Sequence, residues 1–93
     1  MINLYKLKRK ESIDKIFEKL AKKDIVALEA IQKKTKQIIE DPYRFKPLSN
    51  KMKFIRRVHI MKHFVLTYQI IEQEKTVELL DYDHHDKIYR KKK

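Results

Sequence analysis

The chain has 93 residues, a length that fits a single domain spanning residues 1–93 with one hydrophobic core. It contains no cysteine, which excludes disulfides and thiolate metal sites, and no glycine, which excludes a glycine-rich phosphate-binding loop. Because 24 Lys and Arg residues stand against 13 Asp and Glu residues, the net charge is +11, and we expect a polyanionic partner that is bound through side chains.

The N-terminal half of the chain predicts one strand followed by two helices. Residues 2–8 alternate apolar and polar side chains, as a half-buried strand does. The first helix is indicated by apolar residues at the spacing i, i+3, i+4, i+7, namely Ile13, Ile16, Phe17 and Leu20. A second helix is predicted for residues 25–40, with Asp24 as its N-cap and an end set by Pro42. Its inward-facing residues are predicted to be Leu28, Ile31, Thr35 and Ile38.

The C-terminal half predicts a loop, three strands and a basic tail. The loop covers residues 42–53, and the strands are predicted at residues 53–60, 64–71 and 76–82, with a turn at residues 72–75. In the first of these strands, alternation places Phe54, Val58 and Ile60 on one face and Lys53, Arg57 and His59 on the other. The tail carries five cations in residues 87–93, and we expect residues 90–93 to be mobile.

The predicted order β-α-α-β-β-β indicates an α+β fold. We expect an antiparallel sheet with the N-terminal helical hairpin packed on one face. No apolar run approaches the ~20 residues that a membrane span needs, and the charged N-terminus is unlike a signal peptide. A cytoplasmic protein without a membrane partner is therefore expected.

All four histidines lie in the last 35 residues of the chain: His59, His63, His84 and His85. A short turn between antiparallel strands is expected to bring His59 and His63 together, whereas the position of the other two depends on strand order. Three interpretations are open: ordinary surface residues, acid and base groups for phosphodiester cleavage, or metal ligands completed by nearby aspartates. The positive charge of the domain is a poor setting for a divalent cation, so the metal interpretation is the weakest.

Cations surround the first two histidines in sequence: Lys46, Lys51, Lys53, Arg56, Arg57 and Lys62. Such groups stabilise the negative charge of a phosphoryl transition state, and RNA supplies its own nucleophile, the 2′-OH. Arg56 falls on the opposite strand face from Arg57, so it is either a structural residue paired with an acid such as Asp81 or a substrate contact. Tyr89, next to the basic tail, is the best candidate for stacking on an RNA base.

Three segments of the chain resemble toxins of the RelE/ParE superfamily. Residues 41–48 (DPYRFKPL) are similar to the segment that follows the helices in these toxins. Residues 56–60 (RRVHI), followed by residues 64–68 (FVLTY), resemble the YafQ-like branch of RelE-type mRNA interferases. Residues 84–89 (HHDKIY) resemble the C-terminal histidine and aromatic signature of that branch.

The resemblance implies an mRNA endoribonuclease that inhibits translation by cutting message in the ribosomal A site, through attack of the 2′-OH on the adjacent phosphate. It implies no metal or other cofactor. It also implies a RelB-like cognate antitoxin, with the toxin monomeric when free and hetero-oligomeric when bound. Two alternatives remain open: a ParE-like inhibitor of DNA gyrase, and an RNA-binding member of the fold without catalysis.

Carried over by position, the resemblance matches His59 to a strand histidine, His85 to the general acid and Tyr89 to a terminal aromatic residue. Lys46 stands where the branch has another catalytic histidine and His63 where it has an aspartate, so either His59 or His63 is the expected general base. The candidate catalytic residues are thus His85, His59, His63 and Lys46. The candidate RNA-binding residues are Lys51, Lys53, Arg56, Arg57, Lys62, His84 and Tyr89.

Overall fold

Four strands and three α-helices follow one another in the computed structural model, which describes residues 4–91. Their bounds are β1 Lys6–Arg9, α1 Glu11–Lys23, α2 Ile25–Glu40, β2 Ile55–Ile60, β3 Phe64–Ile71, β4 Thr76–His84 and α3 His85–Lys91. Short 3-10 turns lie at Pro42–Arg44 and Glu72–Glu74. The predicted α+β fold and its helical hairpin are confirmed.

The helical hairpin forms where its sequence signals place it. The Asp24 carboxylate accepts a hydrogen bond from the Ala27 N–H at 3.1 Å, so it caps α2 as predicted. The predicted bounds of α2 are also confirmed, and both Ile31 and Ile38 are fully buried. Within residues 4–91, no helix combines the length and the apolar character that crossing a membrane would require.

The sheet has the strand order β1-β4-β3-β2. Strands β2, β3 and β4 are antiparallel as expected, but β1 pairs with β4 in parallel, so the sheet is mixed. A parallel pair needs a long connection, and the hairpin together with β2 and β3 supplies it. Of the predicted first strand, residues 2 and 3 lie outside the described part of the chain.

A bulge in the pairing of β3 with β4 reverses the side of the sheet to which successive side chains of β4 point. Thr67 pairs with Asp81 and Tyr68 with Leu79, so Leu80 is the extra residue. Before the bulge Leu79 faces the helical hairpin, and after it Tyr82 does. The residues after the bulge therefore point to the opposite side from the one that simple alternation predicts.

Each face of the sheet has its own core. The hairpin side buries the larger cluster: Ile13, Ile31, Ile38, Val58, Ile60, Leu66, Tyr68, Val77, Leu79 and Tyr82. The other face carries a smaller cluster of Leu48, Val65 and Ile88, where Ile88 belongs to α3. The sheet is consequently covered on both faces, with α3 packed opposite the hairpin.

The helix α3 extends into the segment of residues 90–93 that was predicted to be mobile, and the mobility stays a prediction. Residues 90 and 91 belong to α3, and residues 92 and 93 lie outside the described part of the chain. Two local features favour the helix: Ile88 is completely buried, and the His84 ring accepts a hydrogen bond from the Asp86 N–H at 3.3 Å. Neither feature can be recognised from the lysine-rich composition of this segment.

The strand β2 begins later than predicted. Residues 53 and 54 form a turn, so Lys53 does not share a strand face with Arg57 and His59. Phe54, expected to face inward, is 76 % exposed. The alternation of the remaining strand is as predicted, since Val58 and Ile60 are buried whereas His59 is exposed.

Candidate active site

The structure sorts the four histidines into two pairs. The rings of His59 and His85 lie with their centroids 5.8 Å apart at an interplanar angle of 20°. The rings of His63 and His84 form a similar pair at 6.0 Å and 10°. The partner of the His59 ring is therefore His85 and not His63, which differs from the expectation drawn from the short β2–β3 turn.

The two histidine pairs lie on opposite sides of the sheet. His59 pairs with Val65 in the ladder and shares the face that α3 covers. His84 comes after the bulge and contacts the edge of the Phe64 ring on the hairpin side, at 5.7 Å between centroids. Since His85 is the first residue of α3, the chain crosses from one face to the other between these two neighbouring histidines.

His84 and His63 help to build the end of the sheet. The Nδ1 atom of His84 accepts the hydrogen bond from the Asp86 N–H described above, which satisfies a donor at the start of α3. The carbonyl oxygen of His63 accepts a hydrogen bond from the His85 N–H at 2.7 Å. Through these contacts, both residues hold the first turn of α3, and with it the His85 side chain, next to β2.

An open groove of about 370 Å³ lies along the outer edge of β2, and we call it the edge groove. It is lined by Lys34, Arg44, Phe45, Lys46, Arg57, Val58 and His59. Within the described part of the chain, four of the lining residues are cationic and none is acidic. Such a groove attracts anions, because its cations reinforce one another and no carboxylate offsets them.

The loop after α2 leaves part of the β2 edge open. The Arg57 N–H donates to the Lys46 carbonyl at 3.0 Å, and the Leu48 N–H donates to the Ile55 carbonyl at 2.7 Å. These bonds cover the first half of the strand edge. His59 lies beyond them, where the edge faces the groove.

The surroundings of His59 favour its neutral form. Partial desolvation lowers the pKa of His59, and the electrostatic interactions with Arg57 and His85 lower it further. The Nη1 atom of Arg57 lies 3.4 Å from His59 Nδ1. Because a guanidinium group only donates, this contact requires an unprotonated Nδ1, and the ring proton is then on Nε2.

Arg57 has an unused hydrogen-bond donor in the groove. Among the described residues, its Nε atom is buried without a hydrogen-bond partner. A buried donor without an acceptor is costly, and a change in the position of the guanidinium would bring this donor to an anion in the groove. Arg57 is therefore suited to bind a phosphate next to His59.

His85 and Tyr89 lie one helical turn apart on α3. Their ring centroids are 4.7 Å apart, and the His85 Nδ1 atom is 3.4 Å from the Asp86 carboxylate. The side chain of His85 is 46 % exposed, so its ring is accessible to a large substrate. Tyr89 also packs against the small core cluster, which fixes the direction of its ring.

The other predicted contacts are distributed more widely. Lys46 lines the edge groove, whereas Lys51, Lys53 and Lys62 are exposed in turns and do not line it. Arg56 points to the hairpin side, where it donates to the Phe45 carbonyl at 2.5 Å and lies 3.5 Å from the Tyr43 carbonyl. Arg56 thus has structural contacts, but to carbonyl oxygens and not to the expected Asp81, which the bulge places on the other face.

Two groove cations, Lys34 and Arg44, were not predicted from the sequence. Lys34 follows the buried Ile31 by three residues and precedes the buried Ile38 by four, so it stands on the inner stripe of α2. A lysine at such a position is the sequence feature from which Lys34 could have been predicted as a groove residue. Arg44 had no comparable signal, because its direction depends on how the loop folds.

The site combines two imidazoles with fixed cations and an aromatic ring. A neutral His59 can accept a proton, His85 can move a second one, and the groove cations can stabilise a charged phosphorus centre. Within residues 4–91, no three His, Asp or Glu side chains are grouped so that they could hold a metal ion. The arrangement fits proton transfer at a phosphodiester.

Comparison with known proteins identifies relatives along almost the whole chain. Residues 5–89 match the family described as the ParE toxin of the type II toxin–antitoxin system parDE. A putative toxin RelE4 of Methanocaldococcus jannaschii is 44 % identical over 90 residues, which covers 97 % of this chain and 96 % of the relative. These two matches span the helical hairpin, the edge groove and the histidine pairs.

Solved structures share the fold at lower sequence identity. A mutant of the Escherichia coli toxin RelE in the free state superposes with a TM-score of 0.76 at 20 % identity, covering 95 % of this chain and 93 % of that one. The toxin–antitoxin complex RelBE2 of Mycobacterium tuberculosis gives a TM-score of 0.72 at 21 % identity, covering 91 % and 95 %. At these identities the likeness concerns the fold alone.

Proposed function

The chain belongs to the ParE toxin family, within the RelE/ParE superfamily of toxins of type II toxin–antitoxin systems, and we propose that it is a ribosome-dependent mRNA endoribonuclease. The observation that carries this proposal is the His59–His85 pair beside a groove of cations. A toxin that acts only by binding has no need of two imidazoles held in contact at such a groove. Cleavage of a phosphodiester uses both.

The proposed reaction needs one base and one acid. His59, neutral because its pKa is lowered, accepts the proton of the 2′-OH, and the 2′-oxygen forms a bond to the adjacent phosphorus. The bond between phosphorus and the 5′-oxygen breaks, and His85 gives a proton to that oxygen. The products are a 2′,3′-cyclic phosphate and a 5′-hydroxyl, so protons and charge balance without a metal ion.

Arg57 links phosphate binding to the action of His59. In the free protein its Nη1 atom contacts the Nδ1 lone pair of His59, which the base must use. A phosphate in the groove attracts the guanidinium, and this frees Nδ1 for the 2′-OH. Lys46, Arg44 and Lys34 add positive charge around the phosphorus, and Tyr89 offers a face on which a base stacks.

We assign His63 and His84 supporting roles. Each is tied through its backbone or ring to the start of α3 and stands on the other side of the sheet from His59. The general base is therefore His59 in this proposal, and His63 is not. Lys51, Lys53 and Lys62 serve as peripheral charges that attract the ribosome and its message.

The proposed partners follow from the family and the charge. The complex RelBE2 of Mycobacterium tuberculosis pairs a related fold with its antitoxin, and we propose a RelB-like antitoxin for this chain as well. Its affinity would come from acidic residues that neutralise part of the +11 charge. The free toxin is proposed to be a monomer that acts on mRNA in the ribosomal A site.

A second candidate is inhibition of DNA gyrase, which the match to the ParE family favours. One paired experiment separates the two: primer extension on a translated message after induction, and a gyrase supercoiling assay with the purified toxin. We expect discrete cleavage within the message and unaffected supercoiling. Inhibited supercoiling with intact message would replace the proposed function by the second candidate.

A further inference from the structure

Three residues of the edge groove come from one short loop, residues 43–47. After the 3-10 turn at Pro42–Arg44, this loop contains no helix or strand. Arg44, Phe45 and Lys46 line the groove, and Pro47 bridges to Arg56 at the edge of β2. The direction of the two cationic side chains therefore depends on what holds the loop backbone. The Arg57 N–H holds the loop at the Lys46 carbonyl, and the side chain of Arg56 holds it at the residues before Lys46.

Arg56 contacts this loop from the hairpin side of the sheet. Its Nη1 atom donates to the Phe45 carbonyl at 2.5 Å and lies 3.5 Å from the Tyr43 carbonyl, and its guanidinium lies 5.1 Å from the centre of the Tyr43 ring. One planar group thus contacts two carbonyl oxygens of the loop backbone and an aromatic face. A guanidinium is suited to this because its donors are fixed in a plane, whereas a lysine presents a single point charge.

The carboxylate of Glu72, which lies outside the groove, connects the loop to another part of the chain. The Tyr43 hydroxyl donates to Glu72 at 2.9 Å, and Glu72 also accepts hydrogen bonds from Tyr5 and Lys75. The hydrogen bonds from Lys75 and Tyr43 lower the pKa of Glu72, so the carboxylate stays charged and keeps its partners. The loop is consequently connected, through Tyr43, to the turn between β3 and β4.

We propose that Arg56 is a positioning residue, which holds residues 43–47 so that Arg44 and Lys46 point into the edge groove. This inference rests on the proposed function for its effect on RNA, but its structural part stands on the loop contacts alone. Arg56 itself does not touch the substrate. It acts through the peptide carbonyls of Tyr43 and Phe45.

Amide hydrogen exchange tests the structural part without any enzymatic activity. The reporters are the N–H groups of Arg57 and Leu48, which bond to the loop and to the strand edge. In Arg56→Gln we expect both to exchange on the order of tenfold faster, the effect of losing hydrogen bonds to a charged group. The control is Lys19→Gln, which removes one charge from the exposed face of α1 and should leave both rates unchanged.

RNA cleavage tests the functional part with the same variants and Arg56→Lys. We expect KM to rise about tenfold in Arg56→Gln, with little recovery in Arg56→Lys, since a lysine keeps the charge but cannot span both carbonyls. Full recovery in Arg56→Lys together with unchanged amide exchange would show a direct phosphate contact and overturn the proposal. If the wild-type protein cleaves no RNA, the proposed function fails, and the exchange rates still decide the structural part.

A milder variant tests the connection from Tyr43 to Glu72 with less risk to folding. Tyr43→Phe removes only the hydroxyl of a residue that is 51 % exposed, and it leaves the ring beneath Arg56. We expect the Arg57 N–H to exchange about threefold faster, as for the loss of one neutral-to-charged hydrogen bond at the surface. Where Arg56→Gln does not fold, Arg56→Lys decides the structural part, because it keeps the charge but loses the double carbonyl contact: unchanged exchange of the Arg57 N–H in Arg56→Lys would overturn the proposal.

Discussion

The imidazole rings of His59 and His85 are stacked 5.8 Å apart, although His59 lies on β2 and His85 begins the helix that follows β4. Strand β3 separates β2 from β4 in the sheet, so the contact depends on α3 folding back across the face. Both side chains are exposed to solvent. Partial desolvation and the charge of Arg57 lower the pKa of His59.

Removal of either stacked histidine should nearly abolish cleavage. We expect His59→Gln and His85→Gln each to slow single-turnover cleavage about 10²–10⁴-fold, the usual contribution of a general base or acid. His63→Gln should stay within about threefold of the wild type in the same assay, because its ring contacts His84 on the other side of the sheet. A loss in His63→Gln as large as that in His59→Gln would assign the base to His63 instead.

The pH profile should report the charge next to His59. Arg57 lowers the pKa of His59, so in Arg57→Gln that pKa rises. Activity needs neutral His59, and the acidic limb of kcat/KM against pH should therefore move to higher pH in the variant. The absolute rate should also fall, because Arg57 binds phosphate in our proposal. A limb that keeps its position would mean that another group controls the profile.

Salt dependence should distinguish groove cations from peripheral ones. Each phosphate contact contributes about 0.7 to the slope of log K against log salt for single strands, so Arg44→Gln with Lys46→Gln should lower the slope by about 1.4. Lys51→Gln with Lys53→Gln removes the same charge from a turn outside the groove and should lower it less. Binding of an RNA oligonucleotide across a salt series measures both. Equal losses would show that the groove has no special role in RNA binding.

Packing of α3 should be required for activity. Ile88 is fully buried between this helix and the sheet, and Ile88→Ala should cost about 2–5 kcal/mol of local packing. We expect faster amide exchange throughout α3 and loss of cleavage, since the helix carries His85 and Tyr89. Ile25→Ala truncates a residue of the same type that is 53 % exposed and should change neither measurement. Full activity in Ile88→Ala would show that α3 need not be docked.

Chelation should leave cleavage intact. The proposed acid and base are both histidines, and the charge at phosphorus is met by lysine and arginine side chains. Cleavage is measured with purified toxin on a model RNA–ribosome complex. We expect the same rate for untreated toxin and for toxin that was treated with EDTA, once the magnesium of the ribosome has been restored. A loss that only zinc or manganese reverses would point to a metal site.

Local patterns predicted most of the secondary structure. The helix α2 was located to the residue because Asp24 and Pro42 mark its two ends, and such signals act over three or four residues. Phe64–Ile71 was predicted as a strand for the same reason, since alternation is read within one strand. The match of His59 to a strand position and the net charge of +11 likewise required no tertiary structure.

The arrangement of the site was decided by contacts between distant parts of the chain. From the sequence alone, His59 was expected to meet His63, and the positions of His84 and His85 were left open. The actual pairs depend on strand order, on the bulge at Leu80 and on the docking of α3. The same holds for Arg56, whose strand face was predicted but whose carbonyl partners depend on the loop. The sequence by itself determined the residue types and the charge, and short-range periodicity predicted the elements other than α3. Only the tertiary structure paired His59 with His85, because non-local packing alone brings those residues together.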